Sequence, residues 1–245
     1  MADCILETDK MIVMQAQLGD WDNLNHLLVC KKTRIACIID PFFEKYWIDV
    51  CENNSWSLEK VWLTHSHWDH SKGINGLTDR EIWVHQKEAL RGWDGPSNRE
   101  WTNDNQTFTE AIIGELRFEA HCTPGHTPGH MTFIGEGVVI SGDCMFLGRC
   151  GRTDLFGGDV NEQRKSLTYL RSIMQGLPDD WLVLPGHQYQ MPDGSNPTYI
   201  TLLELLENNQ ALLALDDDDA WESLDFLAFD DSLAEKARRE KARSQ

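Results

Sequence analysis

Short apolar runs separated by polar turns open the chain. "MIVMQAQL" (11–18), "HLLVC" (26–30) and "IACIID" (35–40) have the length and aliphatic content of consecutive β-strands. Pro41 closes the third, and "FFEKYWIDVCEN" (42–53) changes to the 3.6-residue period of an amphipathic helix. "KVWLTH" (60–65) predicts a strand that runs directly into a histidine-rich loop. "EIWVH" (81–85) predicts a further strand, with a helix over 86–91. Residues 92–106, rich in Gly, Pro, Asn and Asp, predict a surface loop.

The second half repeats the order. Strands are expected within 107–122, 131–137 and 138–144, then an amphipathic helix at 161–177. A strand at 181–187 ends in a Pro-Gly turn, and a helix is expected over 197–215 with Pro197 near its first turn. Strands, helix and strand occurring twice point to an α/β protein of two stacked halves. The expected division is a main domain over 1–200 and a helical extension over 201–245, acidic and then basic.

Composition narrows the class. With 245 residues, 41% of them hydrophobic and 25% charged, the chain can bury a large core. No apolar run approaches the length of a membrane span, and the N-terminus lacks a basic-then-apolar leader, so a cytoplasmic protein is expected. The seven cysteines form no CxxC pair and are expected to be reduced core thiols, with Cys122 and Cys150 lying near the motifs below. A net charge of −18 argues against nucleic acid and anionic membranes as partners. From Ser172 to Glu235 there are fourteen acids and no Lys or Arg, followed by a basic 236–245. Within that stretch Trp221, Leu224, Phe226, Leu227 and Phe229 are expected to fold back onto the domain.

The candidate chemistry sits where strands give way to turns. His65, His67, Asp69 and His70 follow "VWL", His126 follows a Pro-Gly turn, Asp143 ends "VVISGD" and His187 ends "LVLPGH". Five imidazoles and two carboxylates without thiolates suit zinc in an open, catalytic site rather than a closed structural one. His65 and His67 alternate along an extended backbone and so point the same way. A carboxylate such as Asp143 has two oxygens and can bridge two ions. His26, His85 and His121, isolated in strands, are expected to be core histidines.

"THSHWDH" (64–70), "PGHTPGH" (124–130), "SGD" (141–143) and "PGH" (185–187) together resemble the metallo-β-lactamase fold family over about residues 11–200. The resemblance implies a four-layer αββα sandwich with a helical C-terminal extension and a site at the edge between two sheets. It implies one metal on His65, His67 and His126, another on Asp69, His70 and His187, and Asp143 bridging. Asp69 and Asp143 become the catalytic carboxylates, with Asp40 and His130 in supporting roles.

Such a site offers hydroxide at neutral pH, because a metal lowers the pKa of bound water to about 7. With no separate general acid in view, a thioester is the best-suited substrate, since a thiol with a pKa near 8.5 leaves readily. "GDCMFLGRCGRTDLFGGD" (142–159) and "PGHQY" (185–189) look most like the glyoxalase II and persulfide dioxygenase branch, which acts on glutathione conjugates. That likeness assigns Arg152 and Tyr189 to substrate binding and implies two Zn2+. Thr153 departs from the glyoxalase II pattern, as does the missing basic C-terminal patch. Thr153 fits a persulfide dioxygenase with one Fe2+ on His65, His126 and Asp143. A lactonase and a hydrolase of carrier-bound acyl thioesters share the fold; a non-catalytic binding protein would be expected to lack a ligand, and none is missing. Trp68, inside the first motif, is placed to line the entrance.

Overall fold

The computed structural model describes residues 2–227. The first sheet has seven strands in sequence order: β1 (Asp3–Glu7), β2 (Met11–Gln17), β3 (Leu24–Cys30), β4 (Ile35–Ile39), β5 (Ser57–Trp62), β6 (Glu81–His85) and β7 (Arg99–Trp101). The first four run antiparallel, whereas β4 to β7 are parallel. The second sheet is ordered β13-β12-β11-β10-β9-β8, from β8 (Phe108–Ile113), β9 (Leu116–Cys122), β10 (Met131–Gly135), β11 (Val138–Gly142), β12 (Leu182–Pro185) and β13 (Ile200–Thr201).

Both faces of each sheet are covered. Alternation in β3 sends Leu28 toward the second sheet, where it joins Trp62, Phe118, Phe133, Ile140 and Leu184, while Leu27 and Val29 face outward. The outward side is covered by Trp47 and Cys51 of α1 (Glu44–Asn53) and by Ile74 and Leu77, which follow the short α2 (Trp68–Ser71). On the other side, Val139 and Val183 meet Leu167, Leu170 and Met174 of α3 (Val160–Met174). The expected four-layer αββα sandwich is therefore present, and a strand buried on two faces explains why β3 is apolar throughout.

The C-terminal part packs on α3. α4 (Leu202–Asn208), α5 (Gln210–Leu213) and α6 (Asp218–Glu222) bury Leu202, Leu205, Leu212 and Trp221 in the same cluster, with Phe226 and Leu227. The acidic stretch is pinned by Arg171 to Asp216 at 2.7 Å and by Arg164 to the Leu215 carbonyl and Asp218, both at 2.7 Å. Phe229 and the basic segment 236–245 lie outside the described residues. Among the described residues no helix is long and apolar enough to cross a membrane. Six of the seven cysteines, including Cys122 and Cys150, are buried thiols, and Cys4 is exposed.

Four elements differ from the expectation. β1 was not anticipated. The loop 92–106 contains β7, whose only buried side chain, Trp101, stacks on Trp83 at 4.3 Å. The segment 107–122 is a hairpin that turns at Gly114, where φ is +60°. The helix of 197–215 starts only at Leu202, where Thr201 and Glu204 form a reciprocal capping box, so Pro197 precedes it. It also breaks at Asn209, whose buried amide donates to the carbonyl of Phe146 at 2.8 Å while its oxygen caps α5.

Candidate metal centre

Parallel strands bring their carboxyl ends to one edge. Asp40 follows β4, the "THSHWDH" run follows β5, Asp143 follows β11 and His187 follows β12. The two sheets are hydrogen-bonded along this edge, Met131 N to Thr64 O at 2.7 Å and Leu24 N to Gly186 O at 2.8 Å. Side chains from both sheets therefore meet at a rigid seam.

His65, His67 and His126 form the first face. His65 Nε2 and His126 Nε2 each lie 2.9 Å from His67 Nδ1. The opposite nitrogens show which atoms carry protons. His126 Nδ1 donates to the Arg152 carbonyl at 2.6 Å. Thr64 Oγ1 gives its proton to Asp40 Oδ2 at 2.6 Å, so it accepts from His65 Nδ1 at 2.9 Å. His65 Nε2 and His126 Nε2 are thus unprotonated lone pairs turned inward.

The second face uses Asp69, His70 and His187. His70 Nδ1 donates to Asp40 Oδ2 at 2.9 Å and His187 Nδ1 to the Trp21 carbonyl at 2.7 Å, leaving the two Nε2 atoms 3.0 Å apart. Asp69 Oδ2 lies 3.4 Å from His70 Nε2 and 3.2 Å from His187 Nε2. Asp143 reaches both faces, with Oδ2 3.5 Å from His126 Nε2 and 3.3 Å from His187 Nε2. Its Oδ1 is buried without a hydrogen-bond partner.

These residues fit divalent cations. Ligand atoms around a tetrahedral zinc with bonds of about 2.0–2.1 Å are about 3.3 Å apart, close to the 2.9–3.5 Å seen between these atoms. The inward Nε2 lone pairs of His65 and His126, beside an Asp143 oxygen that has no hydrogen-bond partner, suit a bound cation. Burial and neighbouring imidazoles hold His65 and His67 well below the usual histidine range. Burial also opposes charge on His70 and His187, but the carboxylates of Asp143 and Asp69 outweigh it and raise both. Asp69 and Asp143 are in turn held below the usual carboxylate range: burial opposes this, but the adjacent His70 and His187 prevail.

The other predicted residues surround this centre. Asp40, at a strained φ of +48°, joins Thr64 and His70. His130 does not face inward; its Nε2 accepts from the backbone N–H of Asp143 and Cys144, both at 3.1 Å, and so anchors the loop that carries Asp143. Arg152 is engaged by Asp154 through two contacts of 2.5 Å. Tyr189, 37% exposed, packs 4.7 Å from Phe146 and 6.2 Å from His187. Trp68 stands edge-on to Trp21 at 6.0 Å and to Phe42 at 5.6 Å, beside the second face. His26 and His85 are core histidines, as expected, and His121 is buried against Tyr169.

Sequence reading missed Trp21, Asn23 and Thr64. Asn23 Nδ2 donates to Asp69 Oδ2 at 2.9 Å from a turn between β2 and β3. Trp21 acts through its backbone carbonyl, which no residue type announces. Thr64 stands next to His65 in the motif, and that adjacency was the available signal.

The family model described as metallo-beta-lactamase superfamily matches residues 36–187. A hydroxyacylglutathione hydrolase of Pseudomonas fluorescens (strain SBW25) is 32% identical over 183 residues, covering 73% of this chain and 66% of that protein. The chain spans less than two thirds of the curated relatives it matches, 61–64% for three further bacterial proteins of that name. Among solved structures, the B3 metallo-beta-lactamase BLEG-1 aligns with a TM-score of 0.68 at 26% identity, over 82% of this chain and 99% of that one. ETHE1 from Myxococcus xanthus aligns with a TM-score of 0.65 at 25% identity, over 84% and 91%. With the matching strand-end motifs, and a family match over more than half its length, the chain belongs to the metallo-β-lactamase superfamily.

Proposed function

We propose that this protein is a thioester hydrolase working with two Zn2+ ions, and that its substrate is a hydroxyacyl conjugate of glutathione. His65, His67 and His126 would hold one ion, Asp69, His70 and His187 the other, and Asp143 would reach both. When bound, such ions supply Lewis acidity and make a water-derived nucleophile available at neutral pH. The chain's own residues set the geometry. Nδ1 donors on His65, His70, His126 and His187 hold four imidazoles with Nε2 inward. Asp40 orients His70 and, through Thr64, His65.

The observation that carries the reading is the convergence of these lone pairs and two depressed carboxylates on one seam. Neither Asp69 nor Asp143 is available as a proton donor at neutral pH, which favours a leaving group that departs unprotonated. A thiolate does so. The relatives named hydroxyacylglutathione hydrolase support glutathione as the thiol. Arg152 and Tyr189 are our candidates for its contacts, Arg152 exchanging Asp154 for a substrate carboxylate through its planar fork.

A second reading has its own support: the likeness to ETHE1 and Thr153 favour one iron on His65, His126 and Asp143, and oxidation of a persulfide. One experiment decides between them. Metal content per chain is measured on protein purified without added metal, with thioester hydrolysis and oxygen uptake on glutathione persulfide recorded in parallel. About two zinc per chain with hydrolysis supports the proposal; about one iron with oxygen consumption overturns it.

A further inference from the structure

Glu88 is fully buried, on the turn of 3-10 helix Gln86–Arg91 that follows β6. Its Oε2 accepts from the Ser66 N–H at 2.9 Å and from the Ser66 hydroxyl; its Oε1 accepts from the Gly129 N–H at 2.8 Å. Ser66 stands between His65 and His67, and Gly129 between His126 and His130. One carboxylate therefore clamps the loop that follows β5 of the first sheet to the loop that joins β9 and β10 of the second. Arg91 completes the arrangement, with Nη1 3.7 Å from Glu88 Oε2 and donating to Ser66 Oγ at 3.0 Å.

We propose that Glu88 is a positioning residue for the three-histidine face, fixing His65 and His67 against His126 so that one cation meets all three. The inference rests on reading those histidines as cation ligands. Two physical arguments support it. Only a carboxylate presents acceptors on both sides; an amide would turn its NH2 toward the N–H of Ser66 or of Gly129, and one loop would come free. The charge matters as well, because the Arg91 guanidinium is bonded to Ser66, the residue between His65 and His67, and brings a positive charge beside that loop. Glu88 neutralises it. A buried carboxylate is costly unless fully bonded, and this one is spent where two ligand loops meet.

The test uses the full chain, stripped of metal and titrated with Co2+ and Zn2+. Affinities are read by competition with a chromogenic chelator, and the Co2+ visible bands of the three-histidine position are assigned with His187→Ala. For Glu88→Gln the expected result is a roughly 10–100-fold weaker cation at the three-histidine position with altered Co2+ bands. The Asp69, His70 and His187 position should stay within about threefold. Unchanged binding, or equal weakening at both positions, overturns the proposal. Should Glu88→Gln not fold, Ser66→Ala removes only the hydroxyl link and should weaken the same position selectively; binding equal to wild type overturns the assignment. Failure of the wild type to take up either cation would overturn the metal reading itself, whereas two bound cations with an indifferent variant overturns the role of Glu88 alone.

Discussion

Gly186 offers a sharp test of how tightly the centre is built. A Cβ added there would lie 2.2 Å from Asp143 Oδ1 and 2.9 Å from His70 Cε1. Ordinary contact begins at 3.4 Å, so Gly186→Ala demands about 1.2 Å of movement by the carboxylate that reaches both faces. The backbone cannot back away freely, because Gly186 N donates to Gly142 O at 3.0 Å and Gly186 O accepts from Leu24 N at 2.8 Å. Misplacing a reacting group by about 1 Å costs on the order of 100-fold in rate, while overpacking of this kind costs about 1–3 kcal/mol in stability. The expected variant is folded, holds well under two metals per chain, and loses roughly 100-fold in kcat/KM on a thioester. Gly194→Ala is the control: its φ is +86° but nothing lies within 4 Å of the new methyl. It should lose about 1 kcal/mol with activity and metal content intact. Metal analysis, steady-state kinetics and urea unfolding on both variants decide the matter. Full metal content and a rate within threefold for Gly186→Ala would refute the claim that Asp143 must stay where it is.

Asp143→Ala should leave less than one metal per chain and lower kcat by at least about a thousandfold, since a single residue faces both sets of ligands; metal analysis with kinetics reads this, and two retained ions would contradict it. His187→Ala should abolish two-ion thioester hydrolysis yet spare much of a one-iron oxidation, so equal thioester hydrolysis by variant and wild type would rule out the two-ion reading. Acid should destabilise the fold through His26, which burial holds down at about 3 against its ordinary 6.5. Between those values the unfolded chain binds a proton that the folded chain refuses, so stability falls as the pH drops through that window. From pH 6.5 to 4.5 this single group costs about 2.3 kcal/mol. Urea titrations followed by tryptophan fluorescence should show a shallower pH dependence for His26→Leu, and parallel curves would refute the assignment.

Much of the molecule could be read from residue order alone. Strand β2 and helix α3 carry clear periodicity, β4 is a short continuous apolar run, and the histidine motifs fall at strand ends, where they stand. β7 was hidden because a three-residue strand contributes one buried side chain, too little for a pattern. The break at Asn209 was hidden because a polar residue inside an apolar period reads as a solvent-facing position, whereas this one is buried and bonded to a distant loop. Within the site, the seven candidate ligands were legible because imidazole and carboxylate are scarce at such spacing. Trp21, Asn23 and Glu88 were not. They act through a carbonyl, a turn amide and a carboxylate in an otherwise ordinary polar segment, and only the tertiary fold gives them partners.

The seam between the sheets dictates when a cation can be captured. His70 and His187 lie 117 residues apart in sequence yet 3.0 Å apart in space. A growing chain exposes its first histidine cluster early, but that cluster alone offers a loose handful of donors without fixed tautomers. Carbonyls and carboxylates brought in from both sheets set those tautomers, so a tight site exists only after the sheets have docked. Loop closure over such distances is slow, which makes loading the last event rather than a nucleus for assembly. By linkage, an ion that binds only the docked state also holds it shut. Release of that ion would then follow the rare openings of the seam, so the lifetime of the bound metal reports the mechanical integrity of one edge of the protein.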